Sequence, residues 1–452
     1  MKLRHFPLVI LLVFALACNF VTRAFSPFAP PTQTPTPLTP AYIPPDCASA
    51  SLATVPAATA LAVPTPAIQA NPQIDHALQS SVFEKVVKII TDVYVYPDFN
   101  GKDWPGIVAS YRTKIQSGLD TETFYSDMQS MVDELGDDHS SFLSPVDVAA
   151  SDAELSGNTE YVGVGVSILP ELDKGKATIL QVFPDSPADH VGLKPHDDIL
   201  SADGLPLVEN GESYIYRARG PECSAVRLTV ESPGGTPHDL LLVRHKIEGD
   251  IPIDSRLVTT TDGSRIGYIL LPSFFDEKIP SQVYAALKNF GQLDGLILDN
   301  RENSGGSSDV VEPILSFFTS GTLGEFKNRR ESRPLAITPN PIKNSQTVPL
   351  VVLVGTDTVS FGEIFSGVIK DSGRGKIVGQ TTLGNVEILH GYNFDDGSRL
   401  WIAEETFDPA VSHANWEQTG IVPDVQAYAT WDTFTFDTDP AVLAAVKLLG
   451  HK

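Results

Sequence analysis

Apolar residues follow three rhythms along this chain, and each change of rhythm marks a new part. From Ile74 to Met131 they recur at helical spacing: Val82, Val86, Ile89, Ile90 and Val93 keep one face, and Phe124, Met128, Met131 and Val132 keep another. Between Tyr161 and about Ile247 they fall into short runs that predict strands: Val162 to Val166, Thr178 to Phe183, Val226 to Val230 and Leu240 to Val243. From Ile266 onward, buried strands alternate with amphipathic helices. Gly267 to Pro272 and Asp294 to Asp299 read as strands, and Val283 to Phe290 and Val310 to Phe318 as helices. The final pair is the most regular. Leu350 to Val354 is a fully apolar strand, and Phe361, Ile364, Phe365, Val368 and Ile369 keep one helical face, which leaves Ser360 at a strand-to-helix junction.

Outside these segments the pattern lapses in two places. Ser26 to Pro72 is rich in Pro, Thr and Ala; such a stretch buries no core and favours extended conformations, so it reads as a semi-rigid tether. Ahead of it, Lys2, Arg4 and His5 precede an apolar run from Phe6 to Ala17, too short to span a bilayer but suited to an export leader. The run ends in Ala15-Leu16-Ala17 directly before Cys18. This resembles a bacterial lipoprotein signal, although Leu16 is bulkier than that pattern has there, and the resemblance implies lipidation at Cys18. The expected location is the cell envelope, lipid-anchored to the membrane with the body outside the cytoplasm.

At 452 residues there is room for two or three domains. The net charge of −24, with no basic stripe, argues against a nucleic-acid partner and against adhesion to anionic lipid, so membrane contact is expected only through the N-terminal anchor. Of three cysteines, Cys47 and Cys223 remain once Cys18 is set aside; in an exported protein they could pair, but their separation decides nothing. Neither has metal-ligand spacing. No metal or organic cofactor is indicated.

Three places hold candidate chemistry, each with a plainer reading beside it. A hydroxyl at Ser360 would lie close to unpaired helix amides, as suits a nucleophile whose attack creates an oxyanion, yet Ser360-x-x-Glu363 is also a capping box. Gly136 can close the preceding helix, and His139 in the polar loop after it is either a solvated histidine or a catalytic one. Gly305-Gly306, in the loop after a buried strand, permits close backbone approach to a ligand or merely a tight turn.

Family resemblances weigh these alternatives. Pro184-Asp-Ser-Pro-Ala188, Gly192-Leu-Lys-Pro195 and Asp197-Asp-Ile-Leu200 with Asp203-Gly204 resemble a PDZ domain of bacterial proteases, except that His196 stands where the family usually has glycine. That resemblance implies a groove for peptide C-termini with the amides around Gly163, Val164 and Gly165 holding the carboxylate; an unliganded strand edge is the alternative. More broadly, Leu135-Gly-Asp-Asp-His-Ser140, Gly267-Tyr-Ile, Pro272-Ser-Phe274, Gly305-Gly306, Ser360-x-x-Glu363, Asp371-Ser-Gly-Arg374 and Gly420-Ile-Val-Pro-Asp424 resemble, in order, the carboxyl-terminal processing serine peptidases. The resemblance implies an α/β protein: leader 1–17, tether 18–73, helical region 74–155, mostly β PDZ domain 156–248, and a ββα-spiral (ClpP/crotonase-like) peptidase core 249–452. It makes Ser360 the nucleophile and the amides of Gly306 and Phe361 the oxyanion donors.

One departure is central. Where the family has a lysine base and, four residues on, a glutamine, this chain has Asn385 and Leu389, and an amide cannot take a proton from serine at neutral pH. The tricorn and nisin-resistance branch uses histidine instead. His139 matches its histidine loop, and Glu417, three residues before Gly420-Ile-Val-Pro-Asp424, matches the tricorn glutamate that orients it. The expected protein is therefore an exported serine endopeptidase cleaving near the C-termini of unfolded proteins or peptides through an acyl-enzyme, with Ser360, His139 and Glu417 in these roles. The alternatives are an inactive peptide-binding pseudopeptidase lipoprotein, its chemistry lost at Asn385, and a carrier of apolar ligands.

Overall fold

Aspartates start all three of the first long helices. Asp75, Asp103 and Asp120 accept hydrogen bonds from the amides of Leu78, Gly106 and Thr123 at 2.8, 3.1 and 3.0 Å, satisfying donors that a first helical turn leaves open. The helices are His76–Val93, Trp104–Gln116 and Thr121–Asp133. Gly136, at φ +70°, turns the chain out of the last one. Their common face, with Val82, Val86, Ile90, Phe124 and Met128, packs on Phe142, Leu400 and Ile402. Those three come from the strands Ser141–Leu143 and Arg399–Pro409, which pair antiparallel with Ser141 opposite Trp401. The helical region is thereby joined to a strand from the far end of the chain.

The structure, a computed structural model, describes residues 39–48, 70–137, 139–155, 161–247, 253–428 and 430–450. The leader, Cys18 and much of the Pro/Thr-rich stretch lie outside the described residues. No helix among the described residues is long and apolar enough to cross a membrane.

Residues 161–247 build a β-sheet in the order His238–Val243, Ala225–Glu231, Asp198–Ala202, Lys176–Val182, Val166–Glu171. The expected strand from Val162 to Val166 is broken in two. Tyr161–Gly163 pairs with His245–Ile247, and Gly165 at φ +86° re-aims the chain, because a Cβ there would sit 2.1 Å from that of Ser186. Val166–Glu171 is then left as the sheet's edge. Cys47 and Cys223 form a disulfide, and Tyr42 stacks on His190 at 3.7 Å, so residues 39–48 are held against this sheet.

The last part is a six-stranded sheet ordered Ser255–Thr259, Arg265–Leu270, Gly295–Asp299, Leu350–Val354, Lys376–Gly379, Val425–Gln426. It is parallel from the second strand on. Helices Ile279–Phe290, Ser308–Phe318 and Phe361–Asp371 cover one face, and Pro440–Leu448 with Trp431 and Phe434 covers the other. Burial on both faces is why Gly295–Asp299 and Leu350–Val354 are apolar almost without alternation. Loops leaving the carboxyl ends of three adjacent strands, at 300–307, 355–360 and 380–387, meet beside one another, which is where open α/β sheets place their ligands.

His196 joins the two sheets. Its backbone has φ +78°, a conformation that favours glycine, yet the ring is buried, tilted against Trp431 and Phe434 with centroids at 4.5 and 4.7 Å, and Nδ1 lies 2.8 Å from the Trp431 carbonyl. Trp431 Nε1 donates in return to the Ile179 carbonyl at 3.2 Å. His196 is thus a contact between the sheet at 161–247 and the segment that covers the parallel sheet. Both His196→Ala and His196→Gly should lower the urea midpoint, with glycine the milder by about 1 kcal/mol because it alone relieves the positive φ; an alanine variant as stable as the glycine one would contradict this.

Candidate active site

Ser360 is held in a conformation that a serine does not choose. Its φ of 56° and ψ of −124° place it in the positive-φ region, at a cost of about 1–3 kcal/mol. The surroundings enforce it. The Ser360 amide donates to the Asn385 carbonyl at 2.9 Å, the Val359 amide to the Asn303 carbonyl at 3.0 Å, and Thr358 Oγ1 to the Asn300 carbonyl at 2.7 Å. Ser360 is the residue before the helix Phe361–Asp371, but its side chain caps nothing. The other half of the expected capping box is redirected as well. Glu363, fully buried, accepts from Thr382 Oγ1 and from the amides of Gly384 and Asn385 at 2.8 and 2.7 Å. It fastens the 382–385 loop beneath the serine, and the hydroxyl stays unengaged among the described residues.

The paired glycines lie against it. A Cβ on Gly305, at φ +97°, would meet Ser360 Cβ at 2.8 Å and Oγ at 3.2 Å; one on Gly306, at φ +147°, would fall 2.0 Å from the carbonyl carbon of Phe274. Only glycine fits either position. The Gly305 carbonyl accepts from the Phe274 amide at 2.7 Å, so the trans peptide turns the Gly306 N–H the opposite way. Neither that N–H nor the Phe361 N–H, in the open first turn of its helix, has an acceptor among the described residues. The loop bearing Gly306 is rigid at its root. Arg301, 7 % exposed, forks onto Asp299 and Asp439, and its guanidinium lies 5.0 Å from the ring centre of Trp431.

His139 projects from a loop pinned on both sides. Asp137 accepts from the Ser140 amide at 2.6 Å and from Ser140 Oγ at 2.8 Å, and Ser140 Oγ in turn accepts from the Ala403 amide at 3.1 Å. The carboxylate facing the imidazole is Glu387 and not Glu417: Glu387 Oε2 lies 3.2 Å from His139 Nδ1, short of hydrogen-bond alignment, and neither atom has another hydrogen-bond partner. Glu387 Oε1 accepts from the Tyr96 hydroxyl at 2.6 Å. Glu417 does not face the imidazole; it accepts from the Val386 amide at 2.7 Å and lines the same cavity as Glu387 and Tyr96. Sequence reasoning missed Glu387. No local pattern marked it, because Glu387 lies in the irregular stretch before the strand Ile388–Asn393 and meets His139 only through packing.

Asn385 serves this site through its backbone, taking the Ser360 amide on its carbonyl and giving its own to Glu363. Leu389 is part of the packing around the N-terminal helices. In the sheet at 161–247, Gly163 pairs with His245, while the amides of Val164 and Gly165 have no acceptor among the described residues. Beside them is a groove of about 200 Å³ between the edge strand and the turn Ile215–Ala218, lined by Gly163, Val164, Val166, Ile168, Phe183 and Ile215.

A strained serine at a helix start with two amides open beside it is an arrangement suited to acyl transfer, and the class the comparisons give is a serine-type peptidase. Residues 265–427 match Peptidase family S41 and residues 76–133 match the tricorn protease C1 domain, so the chain carries an S41 peptidase domain preceded by a tricorn-type region. It is similar to the carboxyl-terminal-processing protease of Synechocystis, 27 % identical over 359 residues that cover 78 % of this chain and 82 % of the relative. Carboxyl-terminal-processing peptidase 2, chloroplastic, of Arabidopsis thaliana is likewise 27 % identical, over 76 % of this chain and 68 % of its own. Among solved structures, the photosystem II D1 C-terminal processing protease superposes with a TM-score of 0.56 at 25 % identity, covering 83 % of this chain and 98 % of that one.

Proposed function

We propose that this protein is an exported endopeptidase that cuts proteins or peptides near their C-termini, with Ser360 as nucleophile and His139 as general base and then acid. The observation that carries the reading is the enforced positive φ of Ser360 against Gly305, with the Gly306 and Phe361 amides free beside it. In the first step the hydroxyl attacks a peptide carbonyl, His139 takes its proton, and the two amides receive the oxyanion, each donor contributing about 3–4 kcal/mol in a dry site. Collapse releases the amine, protonated by His139, and water then clears the acyl-enzyme. The Cys47–Cys223 disulfide supports export, since such bonds persist in oxidising compartments. Lipidation at Cys18 completes the proposed address.

Recruitment is assigned to the groove at 161–247, read as a PDZ site. A peptide would add to the free edge Val166–Glu171, set an apolar last side chain among Val166, Ile168 and Phe183, and place its carboxylate on the amides of Val164 and Gly165. Ile168→Asp, or amidation of the substrate's C-terminus, should each raise KM about tenfold, roughly 1.4 kcal/mol, with a smaller change in kcat. Equal KM values for free and amidated substrates would remove the groove from the reaction. The peptidase reading itself is tested by digesting an unfolded protein and by labelling with a serine-directed fluorophosphonate. Label on Ser360 with cleavage is expected, and a wild type inert in both assays would sink it.

A further inference from the structure

Between the sheet at 161–247 and the parallel sheet lies a cavity of about 370 Å³ that the proposed reaction does not use. One wall is the end of the edge strand Val166–Glu171 and the turn after it, from Leu169 to Asp173. The other is built from the first residues of the two loops that carry Gly306 and Ser360, among them Glu302 and Asp357. Its charge is one-sided. Glu171, Asp173, Glu302 and Asp357 line it, and Arg301, the one cation lining it among the described residues, is already forked onto Asp299 and Asp439. Glu171 is answered by Lys174 at 3.1 Å. Glu302 is not: its Oε2 is buried with no hydrogen-bond partner among the described residues. Asp357, exposed, has only a long contact from the Thr356 hydroxyl, at 3.5 Å, among the described residues. A buried carboxyl oxygen without a donor is costly, and a cation in the cavity is the partner this one lacks. Burial, and then the charge of Asp357, push Glu302 up to about 8, the direction expected of a carboxyl left without a cation.

No cluster among the described residues gathers three carboxylate, histidine or cysteine side chains in a way that could hold a metal ion. Tyr428 and Trp431 instead give this cavity aromatic walls, which suit an ammonium or guanidinium on an apolar stem. The path of a bound peptide supplies the source of that cation. With its carboxylate on the amides of Val164 and Gly165, a peptide runs along the edge strand from Val166 toward Glu171, and at the end of those 6 residues it reaches Leu169 to Asp173 and the cavity. We propose that the cavity takes a lysine or arginine side chain of the substrate, about six residues before its C-terminus. This rests on the reading of the groove at 161–247 as the recruitment site. The cation settles against Glu302 and Asp357, and its stem against Tyr428 and Trp431. Glu302 lies just ahead of Gly305, and Asp357 just ahead of Ser360, so the same contact holds the next stretch of the peptide beside the serine.

The test measures binding of labelled, unstructured peptides to the full chain carrying Ser360→Ala, by fluorescence anisotropy. Each peptide ends in an apolar residue and carries one lysine, moved a place at a time along an otherwise neutral sequence, with glutamine in the same place as its reference. Lysine about six residues before the C-terminus should tighten Kd about tenfold over glutamine, and kcat/KM of the chain with Ser360 intact should rise in step. Elsewhere along the peptide the gain should be small, which separates the cavity from the pull of the protein's overall negative charge. Adding Asp357→Asn or Glu302→Gln should remove most of the gain and leave the glutamine peptides bound as before. Asp357 is exposed, so its variant decides the matter where Glu302→Gln fails to fold. A lysine gain that survives in Asp357→Asn would overturn the proposal. Where amidating the C-terminus weakens binding, a gain equal at every position would overturn it as well. Where amidation changes nothing, the groove reading falls, and loss of the lysine gain in Asp357→Asn decides for the cavity by itself. A chain with Ser360 intact that cleaves no peptide would refute the peptidase reading, while the Kd ratios still decide this one.

Discussion

Ser360→Ala is expected to reduce peptide hydrolysis by about 10⁴- to 10⁶-fold while leaving the fold intact. The loss follows from removing the hydroxyl proposed to form the acyl-enzyme; what would survive is the contribution of the two amides and of substrate binding. Stability should barely move, because alanine at φ 56° is strained as serine is and the hydroxyl makes no helix-cap hydrogen bond, nor any other among the described residues, to lose. Ser360→Gly should be equally inactive yet more stable by about 1 kcal/mol, since glycine alone is at ease there. His139→Ala should cost nearly as much turnover as Ser360→Ala, and the double variant no more than either, as expected of residues that act as a unit. Turnover of a fluorogenic peptide and the urea midpoint of each variant check this. Ser360→Ala retaining a tenth of wild-type activity, or the double variant losing the sum of both, would contradict the mechanism.

The second large effect is on stability. Arg301→Met should destabilise the protein by about 3–5 kcal/mol, because it leaves Asp299 and Asp439 as buried carboxylates without their cation. Burial of the pair is itself costly, so the penalty measures the stranded charges more than any benefit of the pair. Arg301→Lys keeps the charge but cannot fork onto two carboxylates at once or stack on Trp431 and Phe434, and should recover only part of the loss. Activity should fall with stability, since Arg301 begins the loop that presents the Gly306 amide. Chemical denaturation followed by tryptophan fluorescence reads the first effect and peptide turnover the second. A methionine variant within 1 kcal/mol of wild type would show that the Asp299–Arg301–Asp439 cluster is dispensable.

Local pattern made much of this legible. Uniformly apolar runs became the central parallel strands because those strands are buried on both faces, and the helical spacing after Ser360 became the helix Phe361–Asp371. Gly136, Gly305 and Gly306 stood where the backbone needs what only glycine allows. Other residues were legible in kind but not in partner. Ser360 and Glu363 have the spacing of a capping box, and in sequence nothing says that Glu363 would turn instead to the 382–385 loop. His196 looked like a misfit in a turn, because the aromatic pocket that accepts it comes from residues 431 and 434.

The carboxylate behind His139 shows the division most clearly. By itself the sequence determined which stretches are strands and helices, which serine sits at a helix start, and that Asn385 cannot be the base, because these depend on periodicity and on the chemistry of single side chains. Only the tertiary structure decided that Glu387 and not Glu417 lies against His139, that Cys47 reaches Cys223, and that Arg301 neutralises two aspartates at once. Each of these is a contact fixed by how separate elements pack, and the interaction of two charges depends on their distance in space and the medium between them, not on their separation along the chain.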